Sequence, residues 1–219
     1  MFKNTQIIES SLKEKDVLLI DYNLGNLLSI SNALTKLGYT FKVSNEIEDI
    51  KEAKAFILPG VGAFAEAMNN LKKLDIINVL KEQVLIKKKP ILGICLGMQI
   101  LADHSEENGS HEGLGWIEGE IKRLKKTSDF KVPHVGWNNL NIIKKGPLFD
   151  LCDKNSHFYF DHSYGFICED KYTLANIRLD RNIAVAVQKD NIFGVQFHPE
   201  KSQLCGLKLF RSFFNYIND

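Results

Sequence analysis

Residues 90–99 read Pro90-Ile91-Leu92-Gly93-Ile94-Cys95-Leu96-Gly97-Met98-Gln99, and this stretch decides the fold. The apolar run from Pro90 to Gly93 has the character of a strand buried on both faces. A helix is expected to begin near Leu96. Gly93 and Gly97 stand two residues either side of Cys95, the arrangement of a nucleophile elbow with cysteine in place of serine. Small residues there let the backbone turn tightly, so that the nucleophile stands at the carboxyl end of the sheet. A following helix presents its positive end to a thiolate, and the Leu96 N–H points toward a developing oxyanion. Alone, such a pattern also occurs by chance in buried strands.

Outward from the elbow, strands and helices alternate. Val17-Leu18-Leu19-Ile20-Asp21 reads as a buried strand. Gly25-Asn26 and an amphipathic stretch to Leu37 follow, stopped by Gly38. Further strands are expected over Tyr39 to Val43 and Ala55 to Leu58, and helices over Phe64 to Asn70 and Asp75 to Ile86. Apolar strands alternating with helices predict an α/β fold with a central, mostly parallel sheet flanked by helices. From Gly113 to Val195 the chain changes to short β-type runs: Gly119 to Leu124, Phe130 to Pro133, Leu140 to Ile143, His157 to Phe160, Tyr172 to Arg178, Ile183 to Gln188, and Ile192 to Phe197. These are expected as antiparallel additions. A last amphipathic helix spans roughly Gln203 to Ile217.

At 219 residues the chain suits one domain, taken as 16–219 behind an N-terminal extension of 1–15. Net charge is +1 and the basic residues form no stripe, so no nucleic-acid partner is expected. The longest apolar stretch, Pro90 to Ala102, is 13 residues broken by glycines, too short to span a bilayer. The opening residues lack the pattern of a signal peptide, and a cytoplasmic location is expected. Cys95, Cys152, Cys168 and Cys205 are too widely spaced for a redox or zinc motif and are expected as free thiols. Apart from Cys95 they read as small buried hydrophobes. No metal and no cofactor is expected.

A second signal is Gly194-Val195-Gln196-Phe197-His198-Pro199-Glu200. Pro199 pushes His198 into an extended conformation. In extended chain residues two apart share a side, which would let Glu200 reach the His198 ring. A carboxylate holding one imidazole nitrogen while the other faces a thiol is the logic of an activated nucleophile. The third signal is Pro59-Gly60-Val61-Gly62-Ala63-Phe64, between a strand and a helix. Its glycines allow close backbone approach to a ligand, either as half of an oxyanion hole or as a plain tight loop. With no Lys-Ser/Thr following, it is not a P-loop.

Gly93 to Gln99 together with Gln196 to Glu200 resembles the class I, triad-type glutamine amidotransferases. Pro59 to Phe64, Met98-Gln99, Val132-Pro-His-Val-Gly-Trp-Asn138 and Phe158-Tyr-Phe-Asp-His-Ser-Tyr164 narrow the likeness to glutaminases that serve a (β/α)₈-barrel cyclase in histidine biosynthesis. The resemblance covers the chain from about residue 17 onward. Some positions depart from it: the N-terminal extension is longer than usual, and Asp161 stands where an apolar residue is common.

The resemblance implies that Cys95 attacks the side-chain amide of glutamine, that His198 protonates departing ammonia, and that Glu200 orients His198. It implies oxyanion-hole amides from Leu96 and Val61. Substrate contacts would come from Gln99, Glu107, Ser163 and Tyr164, with Glu106 competing for the place of Glu107. Asn26, Trp137, Tyr159 and Lys201 would face the barrel cyclase in a heterodimer. Taken singly, these four also fit a helix cap, a core aromatic, a buried tyrosine and a solvated lysine. The ammonia would be passed inside the complex to make imidazole glycerol phosphate. Two alternatives stand beside this: a paralogous glutaminase feeding amidino-sugar formation for surface polysaccharide, and a cysteine hydrolase of another amide.

Overall fold

The computed structural model describes residues 16–127, 130–153, 156–178 and 182–218. The expected extension over 1–15 lies outside the described residues. Three parallel pairings build the first half of the main sheet. β1 (Val17–Ile20) lies between β2 (Lys42–Ser44) and β3 (Ala55–Leu58), and β3 pairs with β4 (Ile91–Ile94). β1, β3 and β4 are buried along their whole length, which is why they read as unbroken apolar runs.

Alternate residues of these strands feed different cores. Val17, Leu19, Ile57, Leu92 and Ile94 face one core, which α1 (Leu27–Lys36) and α6 (Gln203–Asn218) cover with Ile30, Leu34, Phe210, Phe213 and Phe214. Leu18, Ile20, Phe56, Leu58 and Ile91 face the other, where α2 (Ile47–Glu52), α3 (Phe64–Lys73) and α4 (Ile77–Lys81) supply Ile50, Phe64, Leu71 and Leu80. Each buried phenylalanine of α6 contributes about 1.5–3 kcal/mol by leaving water. α1 ends as expected. Leu37 is its C-cap, and Gly38 follows at φ +78°, a left-handed position that glycine takes without strain.

α5 (Leu96–Gln99) follows β4 and is only four residues long. Short strands then add to the sheet: β5 (His104–Ser105), β6 (His111–Glu112), β7 (Glu120–Arg123) and β9 (Asn141–Ile142), between which β8 (His134–Asn139) stands apart. β10 (His157–His162) pairs antiparallel with β8 as a separate two-stranded ribbon. β11 (Tyr164–Ile167), β12 (Thr173–Arg178), β13 (Asn182–Lys189) and β14 (Ile192–Val195) complete the main sheet.

The second half differs from expectation at several places, beginning with β8 and β11, which form where no strand was expected. β14 is not an antiparallel addition, because it lies parallel to β4 and antiparallel only to β13. This is what brings the His198 segment beside the Cys95 elbow. β5 and β7 also pair in parallel. The run Phe130 to Pro133 forms no strand. In the first half the helix expected over 75–86 divides into α4 and a π-helical turn, Glu82–Ile86. No helix among the described residues is long and apolar enough to cross a membrane.

Candidate active site

Cys95 sits at φ +55°, ψ −111°, between the end of β4 and the start of α5. That is a rare and costly conformation for a residue with a Cβ, roughly 1–3 kcal/mol, and it persists only where the surroundings fix it. The two glycines are needed for close approach. A Cβ on Gly97 would stand 1.8 Å from the Leu58 carbonyl oxygen, and one on Gly93 would stand 2.6 Å from the Gly97 carbonyl oxygen. The elbow therefore packs directly on the end of β3. α5 is too short to act as a large dipole, so whatever it offers Cys95 comes from individual N–H groups.

The loop after β3 is pinned next to the elbow. The buried Tyr22 hydroxyl donates to the Pro59 carbonyl at 2.6 Å, and a Cβ on Gly60 would collide with that hydroxyl and with Gly97 N. Val61 and Gly62 then line the same cavity as Cys95 and Leu96, a space of about 440 Å³. A cavity of this size suits a small molecule.

β14 carries the chain from Val195 through Gln196 and Phe197 to His198 beside Cys95. The His198 Nδ1–H donates to Glu200 Oε1 at 2.8 Å, and the ring lines the same cavity as the Cys95 side chain, near enough for the two to interact electrostatically. The expected contact between His198 and Glu200 forms, but by a different backbone. His198 is extended, whereas Pro199–Lys201 is a 3-10 turn, so the turn rather than a continuing strand returns the carboxylate to the ring. Burial alone would lower the His198 pKa. Hydrogen bonds and charge from Cys95 and Glu200 overcome it and raise the value to about 10, favouring the imidazolium.

The His198 segment is tied to β10. His198 N–H donates to the Tyr159 carbonyl at 2.9 Å. Ser202 Oγ accepts from Tyr159 N–H at 3.0 Å and donates to the His198 carbonyl at 2.6 Å. Sequence reasoning did not single out Ser202, whose role depends on Tyr159, 43 residues earlier in the chain.

Gln99, Glu107, Ser163 and Tyr164 all line the Cys95 cavity. Of Glu107 and Glu106, Glu107 is the one that lines the cavity. Its Oε2 accepts from Phe64 N–H at the start of α3 at 2.7 Å, whereas Glu106 Oε1 accepts from Arg123 N–H away from the nucleophile. Arg123 was not anticipated. It lines the cavity with its guanidinium 5.8 Å from the centre of the Tyr164 ring, and nothing in its local sequence marks it.

The four residues expected to face a partner divide less evenly. Asn26 is an N-cap, its side chain accepting from Ser29 N–H at 3.3 Å. Trp137 is not a core aromatic, being 45% exposed. The β8–β10 register places it directly opposite Tyr159, which is half-buried. Lys201 is exposed, and its Nζ lies 5.5 Å above the Tyr159 ring. Trp137, Tyr159 and Lys201 thus form one surface cluster, with Tyr159 bridged to His198, and α1 packs against the 199–201 turn.

Among the described residues no group of three or more His, Cys, Asp or Glu side chains is placed to hold a metal ion. The four cysteines are free thiols, of which Cys95 and Cys152 are buried.

A family model of class-I glutamine amidotransferases matches residues 18–215. The chain is similar to the imidazole glycerol phosphate synthase subunit HisH 1 of Campylobacter jejuni (strain RM1221), with 48% identity over 90% of this chain and 98% of that one. It is likewise similar to the subunit HisH 2 of Vibrio vulnificus (strain YJ016), with 46% identity over 92% and 94%. Its backbone resembles a crystal structure of a glutamine amidotransferase at a TM-score of 0.72 and 20% identity, covering 92% of this chain and 99% of the other. It also resembles the structure of PurLQS from Thermotoga maritima at a TM-score of 0.69 and 20% identity, covering 92% and 98%. At such identity the structural likeness speaks for the fold alone.

Proposed function

Because the chain belongs to the class-I glutamine amidotransferases, we propose that Cys95, His198 and Glu200 form its catalytic triad, within a single domain spanning residues 16–219. The chain hydrolyses glutamine to glutamate and ammonia, as the glutaminase subunit of imidazole glycerol phosphate synthase in histidine biosynthesis. The observation that carries the triad is the 2.8 Å bond from His198 to a buried Glu200, with the His198 ring and the elbow residue Cys95 lining one cavity.

The reaction follows from that geometry. The Cys95 sulfur attacks the side-chain amide carbon of glutamine, and the carbonyl oxygen takes the negative charge. The N–H groups of Leu96 and Val61 are its donors, each contributing about 3–4 kcal/mol to the transition state. The carbon–nitrogen bond then breaks as His198 gives its proton to the leaving ammonia, which leaves a glutamyl thioester. Water attacks the thioester while His198 takes a proton, and collapse releases glutamate and the thiolate. Gln99, Glu107, Ser163 and Tyr164 hold the substrate from the walls of the cavity.

Ammonia that reached water would be protonated and lost as a nucleophile, so its acceptor must sit on a bound partner. That partner is the cyclase subunit, a (β/α)₈ barrel, and it docks over Asn26, Trp137, Tyr159 and Lys201. Exposed aromatic surface beside a cation supports this assignment. Both relatives carry the name of an imidazole glycerol phosphate synthase subunit, which supports that acceptor. The alternative is amidino-sugar formation for surface polysaccharide, with the same glutaminase chemistry.

The test is glutamate release by the purified chain mixed with each candidate barrel. Stimulation by the histidine-biosynthesis cyclase is the expected result. Stimulation only by a polysaccharide-pathway barrel would overturn the assignment of the acceptor.

A further inference from the structure

Gln196 lies two residues before His198, is fully buried, and reaches the nucleophile, with Nε2 3.7 Å from Cys95 Sγ. The two ends of a glutamine amide are nearly isosteric, so which end meets the sulfur must come from the surrounding hydrogen bonds. Those bonds start from a group with no ambiguity. The Tyr164 backbone carbonyl can only accept, and two side chains converge on it, His162 Nδ1 at 2.7 Å and Gln99 Nε2 at 3.2 Å. Gln99 therefore turns its NH₂ toward Tyr164, and the same NH₂ donates to Gln196 Oε1 at 2.9 Å. With Oε1 engaged, Gln196 can present only N–H to the sulfur.

The other branch from Tyr164 is equally determined. His162 carries its proton on Nδ1, so its Nε2 accepts from His134 Nδ1–H at 2.9 Å. His134 Nε2 is then an acceptor, and Asn138 Nδ2 approaches it at 3.5 Å. Burial holds the His134 and His162 pKa values down to about 4 and 3, so both rings are neutral near pH 7 and keep these tautomers. The result is a directed chain of donors and acceptors, centred on one carbonyl, that ends at the sulfur.

We propose that Gln196 is a further catalytic residue, whose amide N–H donates to the Cys95 thiolate and whose orientation is imposed by the Tyr164 carbonyl through Gln99. An N–H aimed at a sulfur anion in a water-poor site is a charge-assisted hydrogen bond. It favours the attacking thiolate, and it favours the same thiolate again as leaving group when the thioester collapses. No bond to Gln196 forms or breaks. The proposal rests on the reading of Cys95 as nucleophile.

The test is the pH dependence of Cys95 alkylation by iodoacetamide in the full chain, followed by mass spectrometry on the Cys95 peptide, in wild type, Gln196→Met and Gln196→Glu. Iodoacetamide reports the thiolate, and the midpoint belongs to the coupled Cys95–His198 pair. The other titratable groups facing this site are Tyr22 from the loop after β1, Glu200 on the His198 ring, and Glu107, Arg123, Asp161, His162, Tyr164 and Lys201 around the cavity. All of them are unchanged in the variants.

Loss of the donor is expected to move the midpoint up by about one pH unit in Gln196→Met. Gln196→Glu keeps an acceptor for Gln99 but adds a negative charge, and is expected to move the midpoint further. A folded Gln196→Met with the wild-type midpoint overturns the proposal. If that variant fails to fold, an unmoved midpoint in Gln196→Glu overturns it. A Cys95→Ala variant that still hydrolyses glutamine would instead remove the nucleophile reading itself, so the two failures are distinguishable.

Discussion

His198 Nδ1 and Glu200 Oε1 lie 2.8 Å apart on side chains that are 4% and 1% exposed, joined by a single 3-10 turn. The carboxylate fixes which imidazole nitrogen carries the proton and leaves the other free for Cys95. Glu200→Gln keeps the shape but lets an amide NH₂ compete for that nitrogen. Steady-state glutaminase assays with the partner bound should show kcat lower by roughly 10²–10⁴-fold with KM little changed. A loss smaller than about tenfold would show that Glu200 does not set the ring's tautomer.

The buried histidines predict how stability depends on pH. Burial lowers His134 and His162 from the ordinary 6.5 to about 4 and 3. Below pH 6.5 the unfolded chain therefore binds protons that the folded chain refuses. Their contribution is fully present above about pH 6.5 and is lost as pH falls toward the folded values, each approaching roughly 1.4 kcal/mol per pH unit. His198 has the opposite sign. Its folded pKa is raised to about 10, so its contribution is full below 6.5 and is lost as pH rises through 10. Urea midpoints measured from pH 4 to 8 should fall on the acid side, and fall less steeply in His162→Asn. Parallel curves for the two proteins would contradict this.

Gly97→Ala should cost more than about 3 kcal/mol, because its Cβ would stand 1.8 Å from the Leu58 carbonyl oxygen in a packed interior. Chemical denaturation would check it, and a folded variant of wild-type stability would show that the elbow tolerates a methyl group.

Trp137→Ala should leave the thermal stability of the isolated chain almost unchanged, since Trp137 is 45% exposed. Affinity for the partner subunit should fall by roughly 10–100-fold, as for an aromatic anchor at an interface. Titration of the two subunits measures it. Unchanged affinity would place the docking face elsewhere.

The parallel half of the fold was legible because β1, β3 and β4 are buried on both sides, so burial wrote itself into Val17–Ile20, Ala55–Leu58 and Ile91–Ile94 as unbroken apolar runs. The elbow was legible because two close backbone approaches each require a glycine two residues from Cys95. Strand direction in the second half was not. Ile192–Val195 has the same composition whether it lies parallel or antiparallel to its neighbour, and only the pairing with β4 decides. α2 was missed because its six residues bury only Asp49 and Ile50, too little to impose a helical period. Glu200 was placed beside His198 for the wrong reason, since local geometry was inferred from Pro199 while the 3-10 turn makes the contact. Tyr22, Ser202 and Arg123 acquire their places through contacts far apart in the chain, which no local pattern records.

The central claim is that Cys95 is the nucleophile for glutamine. Its most direct test is inactivation by a diazoketone analogue of glutamine in the presence of the partner, with the modified residue located by mass spectrometry. The account predicts one equivalent of label on Cys95, loss of activity in proportion to labelling, and protection by glutamine. Complete inactivation with Cys95 unmodified, or full activity with Cys95 fully modified, would contradict it.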